Sequence, residues 1–420
     1  MRIDRKITFG LLGALAIVAA ACSSNSASTS SGSSTTVSSS TGSRSHVYTL
    51  GILSDLTGPG ASVNKTAPQG VQAGIWLASQ DGYTVRYVAA DTGTSASGAL
   101  TAAQQLVQQD HVDAVVALSA LTFAASNWLT EQGVPVVGAA EDGPEWITSM
   151  NMFSVFGPLD TTKVTTTWGS FFKLEGATNV GTLGYSIAPT SSEAAQAVGV
   201  SAENAGLKAG YVNGALPFGS TNVQPVAIAM KSAGVDAFTS QTDPNTSFAL
   251  LTALRQEGVD PKVALMPTGY GGDLQQAGPG VLQEAQGVYF LSVFEPVEMH
   301  TSATQQFQKA LKSAGVTHDP TYAEYAGYTS VALFIDALQS AGANPTSSQL
   351  ITALSGIKSF DAAGLLDGHT LNMAQRTGIV NGPGNCIYMT KAQAGAFVVV
   401  ANADPICGTV IPGKTVSAAH

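Results

Sequence analysis

"YTVRYVAADTGTSASGALTAAQQLVQQDHVDAVVALS", residues 83–119, decides the fold. Its first nine residues, 83–91, are rich in β-branched and aromatic side chains and read as a strand. Within 95–110, Leu100, Ala103, Leu106 and Val107 recur at helical spacing. Residues 112–119 are again a short apolar run, hence a second strand. Strand, helix and strand in succession pair in parallel through a right-handed crossover. Working outward, the rhythm holds. A strand at 48–56 and a helix at 67–80 precede this stretch; a helix at 122–132 and a strand at 134–140 follow it. After Asp160 it restarts, with helices at 160–175, 191–206, 222–233 and 246–257. Between and after them lie strands at 179–186, 208–213, 235–241, 262–267 and 287–294. Helices at 301–314, 320–341 and 346–355 come next, and two tail strands lie between Cys386 and Cys407. The expectation is an α/β protein of two Rossmann-like, three-layer lobes.

Ligands of open parallel sheets bind outside the carboxyl ends of the strands. The loops at 54–66, 91–96, 119–123 and 138–146 therefore share one face of the first lobe. Those at 186–192, 241–247 and 267–273 share one face of the second, and the two faces make a cleft.

The chain has 420 residues, a net charge of −10 and only 11% charged residues. An acidic body without a basic stripe does not suit nucleic acid, whose phosphates need Lys and Arg. Residues 1–22, "MRIDRKITFGLLGALAIVAAAC", begin with the positive Arg2, Arg5 and Lys6 and continue as an apolar run, 7–21. That run is too short for a comfortable membrane span and has the flanks of an export signal. Its Ala-Ala-Ala-Cys end resembles the lipobox of bacterial lipoproteins, with Ala19 where Leu is usual. A lipidated Cys22 is expected; plain secretion with an incidental Cys is the alternative. Residues 23–46 form a Ser/Thr/Gly tract that cannot build a core and reads as a disordered leash. Cys386 and Cys407 are left as a pair in an exported protein, placed to bridge or to remain two buried thiols.

In this order of elements the chain resembles the type I periplasmic binding proteins, specifically the leucine/isoleucine/valine-binding branch that feeds ABC importers. The resemblance is carried by "LGILSDLTGPGA" (50–61), residues 91–119, "GVPVVGAAEDGPEW" (133–146), residues 233–259 and "TYAEYAGYTSVALFIDAL" (321–338). It implies two lobes joined by three crossovers and closing on a small solute. It also implies an extracytoplasmic, membrane-anchored monomer that docks to a membrane permease. The expected division is a first lobe of 47–158 plus about 295–360, and a second of 159–294 plus about 361–420.

Site residues follow from both lines of reasoning. Ser119, Ala120 and Thr122 end a buried strand and start a helix, so their amides and hydroxyls suit a carboxylate or carbonyl oxygen. The family's corresponding loop grips an amino acid carboxylate. Ser191, Thr242, Thr268 and Tyr270 lie on loops after successive strands of the second lobe. The resemblance puts Ala140 where a backbone carbonyl meets a ligand ammonium, and Asp142 where a Thr hydroxyl is usual. The second-lobe acid that amino acid binders use falls near Thr268 and is absent. Either the negative charge has moved to Asp142, or the ligand is an amide, polyol or other polar solute. Trp146 is expected to support this loop.

Enzyme motifs are weak. Residues 408–415, "GTVIPGKT", match phosphate-loop spacing, yet only five residues follow where a helix is needed. The six histidines lack metal spacing, and no Gly-x-Ser-x-Gly elbow occurs. No catalytic residue, metal or cofactor is expected. A ligand-sensing surface lipoprotein without a transporter, and an exported hydrolase, are the alternatives.

Overall fold

The computed structural model describes residues 46–276 and 281–419. The expected export segment with Cys22, and the Ser/Thr tract except His46, lie outside them. The first sheet comprises β1 (Val47–Ser54), β2 (Thr84–Asp91), β3 (Ala114–Leu118), β4 (Val136–Gly138) and β5 (Met152–Ser154). Its order is β2-β1-β3-β4-β5 and every pairing is parallel. The apolar runs of β3 and β4 are buried throughout, as strands covered on both faces must be. Ser54 pairs with both Asp91 and Leu118, so the loops after β1, β2 and β3 leave the sheet side by side.

The second lobe opens with β6 (Lys163–Thr165). Its main sheet uses β7 (Asn179–Tyr185), β8 (Lys208–Leu216), β9 (Ala237–Gln241), β10 (Val263–Met266) and β11 (Tyr289–Ser292). The tail adds β12 (Cys386–Gln393), β13 (Ala396–Val399), β14 (Ile406–Cys407) and β15 (Val410–Thr415). The order is β13-β12-β11-β10-β9-β7-β8, with β12 and β13 antiparallel to their neighbours. After β11 the chain returns to the first lobe, where the helix Tyr322–Ala341 packs on the helix Ala67–Gln80. It then crosses back along Leu159, which bridges Ile379. Among the described residues no helix is long and apolar enough to cross a membrane.

Three features depart from the sequence reading. The expected helix at 160–175 is shorter, Thr167–Leu174, because residues 163–165 instead form β6 and pair with β15. The phosphate-loop match is part of that strand, and Gly408 packs where a Cβ would meet the Thr167 hydroxyl at 2.2 Å. The strand β5 was not expected; three residues carry too little periodicity to be read. The tail cysteines do bridge. Cys407 lies on β14, which resumes pairing along β12 after a loop at 400–405. His369 sits 3.6 Å from Cys386 Sγ, but both sulfurs are committed to the disulfide.

The contact between the helices Ala67–Gln80 and Tyr322–Ala341 is close enough to need glycine. A Cβ at Gly74 would fall 2.4 Å from Val331 Cβ, and one at Gly70 would fall 2.6 Å from Glu324 Cα. Gly74→Ala is therefore expected to cost roughly 1–3 kcal/mol through overpacking. Chemical denaturation checks this, and an unchanged midpoint would show that the helices do not meet at Gly74.

Candidate ligand-binding site

A cavity of about 220 Å³ lies at the carboxyl ends of both sheets. The first lobe lines it with Asn64, Ala120, Ala140, Glu141 and Asp142, from the loops after β1, β3 and β4. The second contributes Ser191, Gln241, Thr242, Asp243 and Thr268. Phe156, Trp168, Phe218, Leu291, Val293 and Ile387 give it a large apolar wall. No Lys, Arg or His occurs among the described residues that line it.

Six of the expected site residues line the cavity: Ala120, Ala140, Asp142, Ser191, Thr242 and Thr268. Ser119 and Thr122 do not. The Ser119 hydroxyl donates to Asp55 Oδ1 at 2.6 Å, and Thr122 Oγ1 donates back to the Ser119 carbonyl at 2.8 Å. Tyr270 also lies outside it. Its hydroxyl donates to Glu298 Oε2 and accepts from the Val297 N–H, and its ring borders a separate void of about 30 Å³. Its flanking glycines, both at positive φ, hold a fixed turn rather than a loose flap.

The second-lobe hydroxyls are already engaged. Ser191 Oγ donates to the Gln241 carbonyl and accepts from the Tyr185 N–H. Thr268 Oγ1 donates to the Thr242 carbonyl at 3.0 Å, and Thr242 Oγ1 bonds the hydroxyls of Ser240 and Ser247. Asp243 caps the helix Pro244–Gln256 through the Asn245 and Thr246 amides. It also accepts from the Tyr185 hydroxyl.

The first lobe holds what the sequence reading missed. Asp55, one residue past β1, is fully buried. Its Oδ1 accepts from Ser119 Oγ and Thr92 Oγ1, and its Oδ2 accepts from the Ala120 N–H at 2.9 Å and Asn64 Nδ2 at 3.3 Å. Asn64 Nδ2 also donates to Glu141 Oε2 at 3.0 Å. A second-lobe residue closes the loop: Thr190 Oγ1 donates to the Glu141 carbonyl at 2.6 Å, and its N–H points to the Asp142 carbonyl at 3.4 Å. The signal for Asp55, and for Thr190 in the loop at 186–192, was only a place at a strand's carboxyl end.

Asp142 is half-buried, and among the described residues nothing donates to its carboxylate. Burial, then the charges of Asp55 and Glu145, push its carboxyl up to about 7. Burial raises Glu145 to about 7 as well. Glu141 is pushed well above the usual carboxylate range, by burial first and then by Asp55 and Asp142; the Asn64 hydrogen bond offsets only part of this. Trp146 is buried beneath the loop, and Arg376 donates to the Trp146 and Met152 carbonyls. The arrangement sets the carboxyl groups of Glu141, Asp142 and Asp243 in one cavity with an apolar wall, and the hydroxyls beside the acids are engaged in hydrogen bonds within the protein. It suits binding rather than turnover.

A folded-state pKa raised above its unfolded value stabilises the fold at low pH, and the stabilisation is lost as pH rises through the folded value. With Asp142 and Glu145 both raised to about 7, the ligand-free protein should unfold at progressively lower temperature from about pH 5 to about pH 8. Asp142→Asn should flatten that slope. Thermal unfolding across the range checks it; a slope equal in both proteins would mean that Asp142 is not held protonated.

A family model described as periplasmic binding protein matches residues 47–396. No curated protein matches the chain in sequence. Among solved structures, a solute binding protein of an ABC transporter from R. palustris, in complex with 4-hydroxybenzoate, is 17% identical with a TM-score of 0.69. The match covers 89% of this chain and 98% of that one. A leucine binding protein from Thermotoga maritima is 16% identical, TM-score 0.69, over 84% of this chain and 98% of its own. A branched-chain amino acid transporter substrate binding protein from Streptococcus pneumoniae, in complex with isoleucine, is 20% identical, TM-score 0.66, over 84% and 99%. These likenesses agree with the two-lobed fold, and the family match over most of the chain means that it belongs to the periplasmic binding protein family, whose members are ligand binders rather than enzymes.

Proposed function

We propose that the protein is a lipid-anchored, extracytoplasmic receptor that captures a small polar solute and delivers it to an ABC permease. The observation that supports this most is the cavity between two strand-end faces, with an unpaired Asp142 carboxylate at its edge. A partly buried carboxyl group ionises readily only beside a donor or a positive charge, so a ligand donor is the natural partner. The solute enters while the lobes are apart and, by contacting both, favours the closed arrangement. The Thr190 bonds to the 141–142 backbone are the kind of cross-lobe contact that closure would make. Cys22 and the leash hold this body near the membrane while leaving it free to turn toward the permease.

Asp142→Asn removes the charge with little change of shape. A hydrogen bond to a charged group is worth about 1.5–3 kcal/mol, so affinity for the cognate solute should fall about 10- to 100-fold. Titration calorimetry decides, and an unaltered dissociation constant would return the loop to ordinary surface. The anchor has its own test. Cys22→Ser should move the processed protein from the membrane to the soluble fraction with its affinity intact. Persistent membrane association of that variant would refute lipidation at Cys22.

A further inference from the structure

Given the solute-binding role proposed above, we infer that the cavity takes a protonated amine with an apolar body and no carboxylate. The donors at the end of β3 suited to an anionic oxygen, the Ser119 hydroxyl and the Ala120 N–H, are both taken by Asp55. The protein's own carboxylate thus fills the place that a ligand carboxylate would use. A second anion brought there would meet Asp55, Glu141 and Asp142 with no basic side chain among the described lining residues. Like charges brought together at a desolvated site cost several-fold to many-fold in affinity.

The groups left over are acceptors. Among the described residues no hydrogen bond reaches the Asp142 carboxylate, which is half-buried, and Asn64 Oδ1 and Glu141 Oε1 are buried without partners. Both Asn64 and Glu141 line the cavity. The Asn64 amide is oriented by its two carboxylate acceptors, Asp55 and Glu141, which fixes Oδ1 as the free end. An ammonium group carries three donors, no acceptor and one positive charge, which matches that set in number and sign. The opposite wall of Trp168, Leu291, Val293 and Ile387 then receives an aliphatic or aromatic body. An amide or polyol would supply donors but no positive charge to draw Glu141 and Asp142 into their ionised forms.

The test uses matched probes that differ only at the head group: 3-methylbutylamine, leucine and 4-methylpentanoate, then phenethylamine, phenylalanine and 3-phenylpropanoate, with polyols and primary amides as neutral controls. Calorimetry on the full folded chain should give amine affinities at least about tenfold tighter than those of the matched amino acids, and no binding of the acids. Asp142→Asn should weaken amine binding by the same factor of about 10 to 100. Asp55→Ala should free both the Ser119 and Ala120 donors, and Asp55→Asn, whose amide oxygen still accepts, only one of them, so that leucine or 4-methylpentanoate gains affinity in the folded variants, more in the first than in the second. Native protein that prefers the amino acid, the acid or a neutral control overturns the amine assignment and leaves solute binding standing. Folded protein that binds nothing in the set overturns both.

Discussion

The first lobe's cleft is organised by one buried carboxyl group. Asp55 sits just beyond β1 and draws donors from Asn64, from Thr92 beyond β2, and from Ser119 and Ala120 beyond β3. Three adjacent parallel strands deliver these loops to one edge, and the Asp55 side chain binds them to one another there. A buried carboxyl is tolerated only when its lone pairs are met by donors, and four donors meet it. The site is crowded to the point that Gly60 can carry no side chain: a Cβ there would lie 2.5 Å from Asp55 Oδ2. Helix packing supports the same edge from behind, since the Thr66 and Thr321 hydroxyls bond at 2.6 Å where the two glycine-dependent helices begin.

Satisfying Asp55 leaves its neighbours short of donors. Asn64 can donate twice, and both hydrogens go to carboxylates, one to Asp55 and one to Glu141. Asp142 gets none, and Glu145, packed above Trp146, keeps one oxygen unpaired. Desolvation and mutual repulsion then favour the neutral acids, the direction seen at Glu141, Asp142 and Glu145. Such an arrangement is a poor way to stabilise an empty protein. It becomes sensible when a positive or donor-rich group from outside completes it, because the stabilisation then appears only with ligand present.

Much of the architecture was legible because parallel crossover units repeat strongly. Residues 83–119 alone carried strand, helix and strand, and the helix at 67–80 was readable to the residue. What escaped the sequence reading was set by distant partners. Val164 and Thr165 look like a helix start until β15, more than two hundred residues later, pairs with them; the run of Thr and Val at 161–167 was the one local hint of strand. The site divides the same way. Loops at strand ends were readable, so Ala120 could be named from position, while Ala140 and Asp142 were named from the family resemblance. Occupancy was not readable. Nothing local says that Ser119 spends its hydroxyl on Asp55, or that Tyr270 turns its own toward Glu298, because both partners come from other parts of the chain.

The loop at 141–142 serves both the cavity and the contact between the lobes. Its side chains carry the acidic end of the cavity, while its carbonyls receive Thr190 from the opposite lobe. Thr190 lies at the start of the helix Pro189–Asn204, so the partial positive charge of that terminus faces the acidic loop. Neutralising Asp142 from within the cleft and docking Thr190 from across it therefore act on the same few residues. A ligand that pairs with the carboxylate steadies the backbone on which the second lobe closes. A closed second lobe in turn excludes water and strengthens the pairing. On the proposed reading, binding free energy would be shared between the ion contact and the cross-lobe hydrogen bonds, which would let a small solute with few contacts select one arrangement of two large lobes.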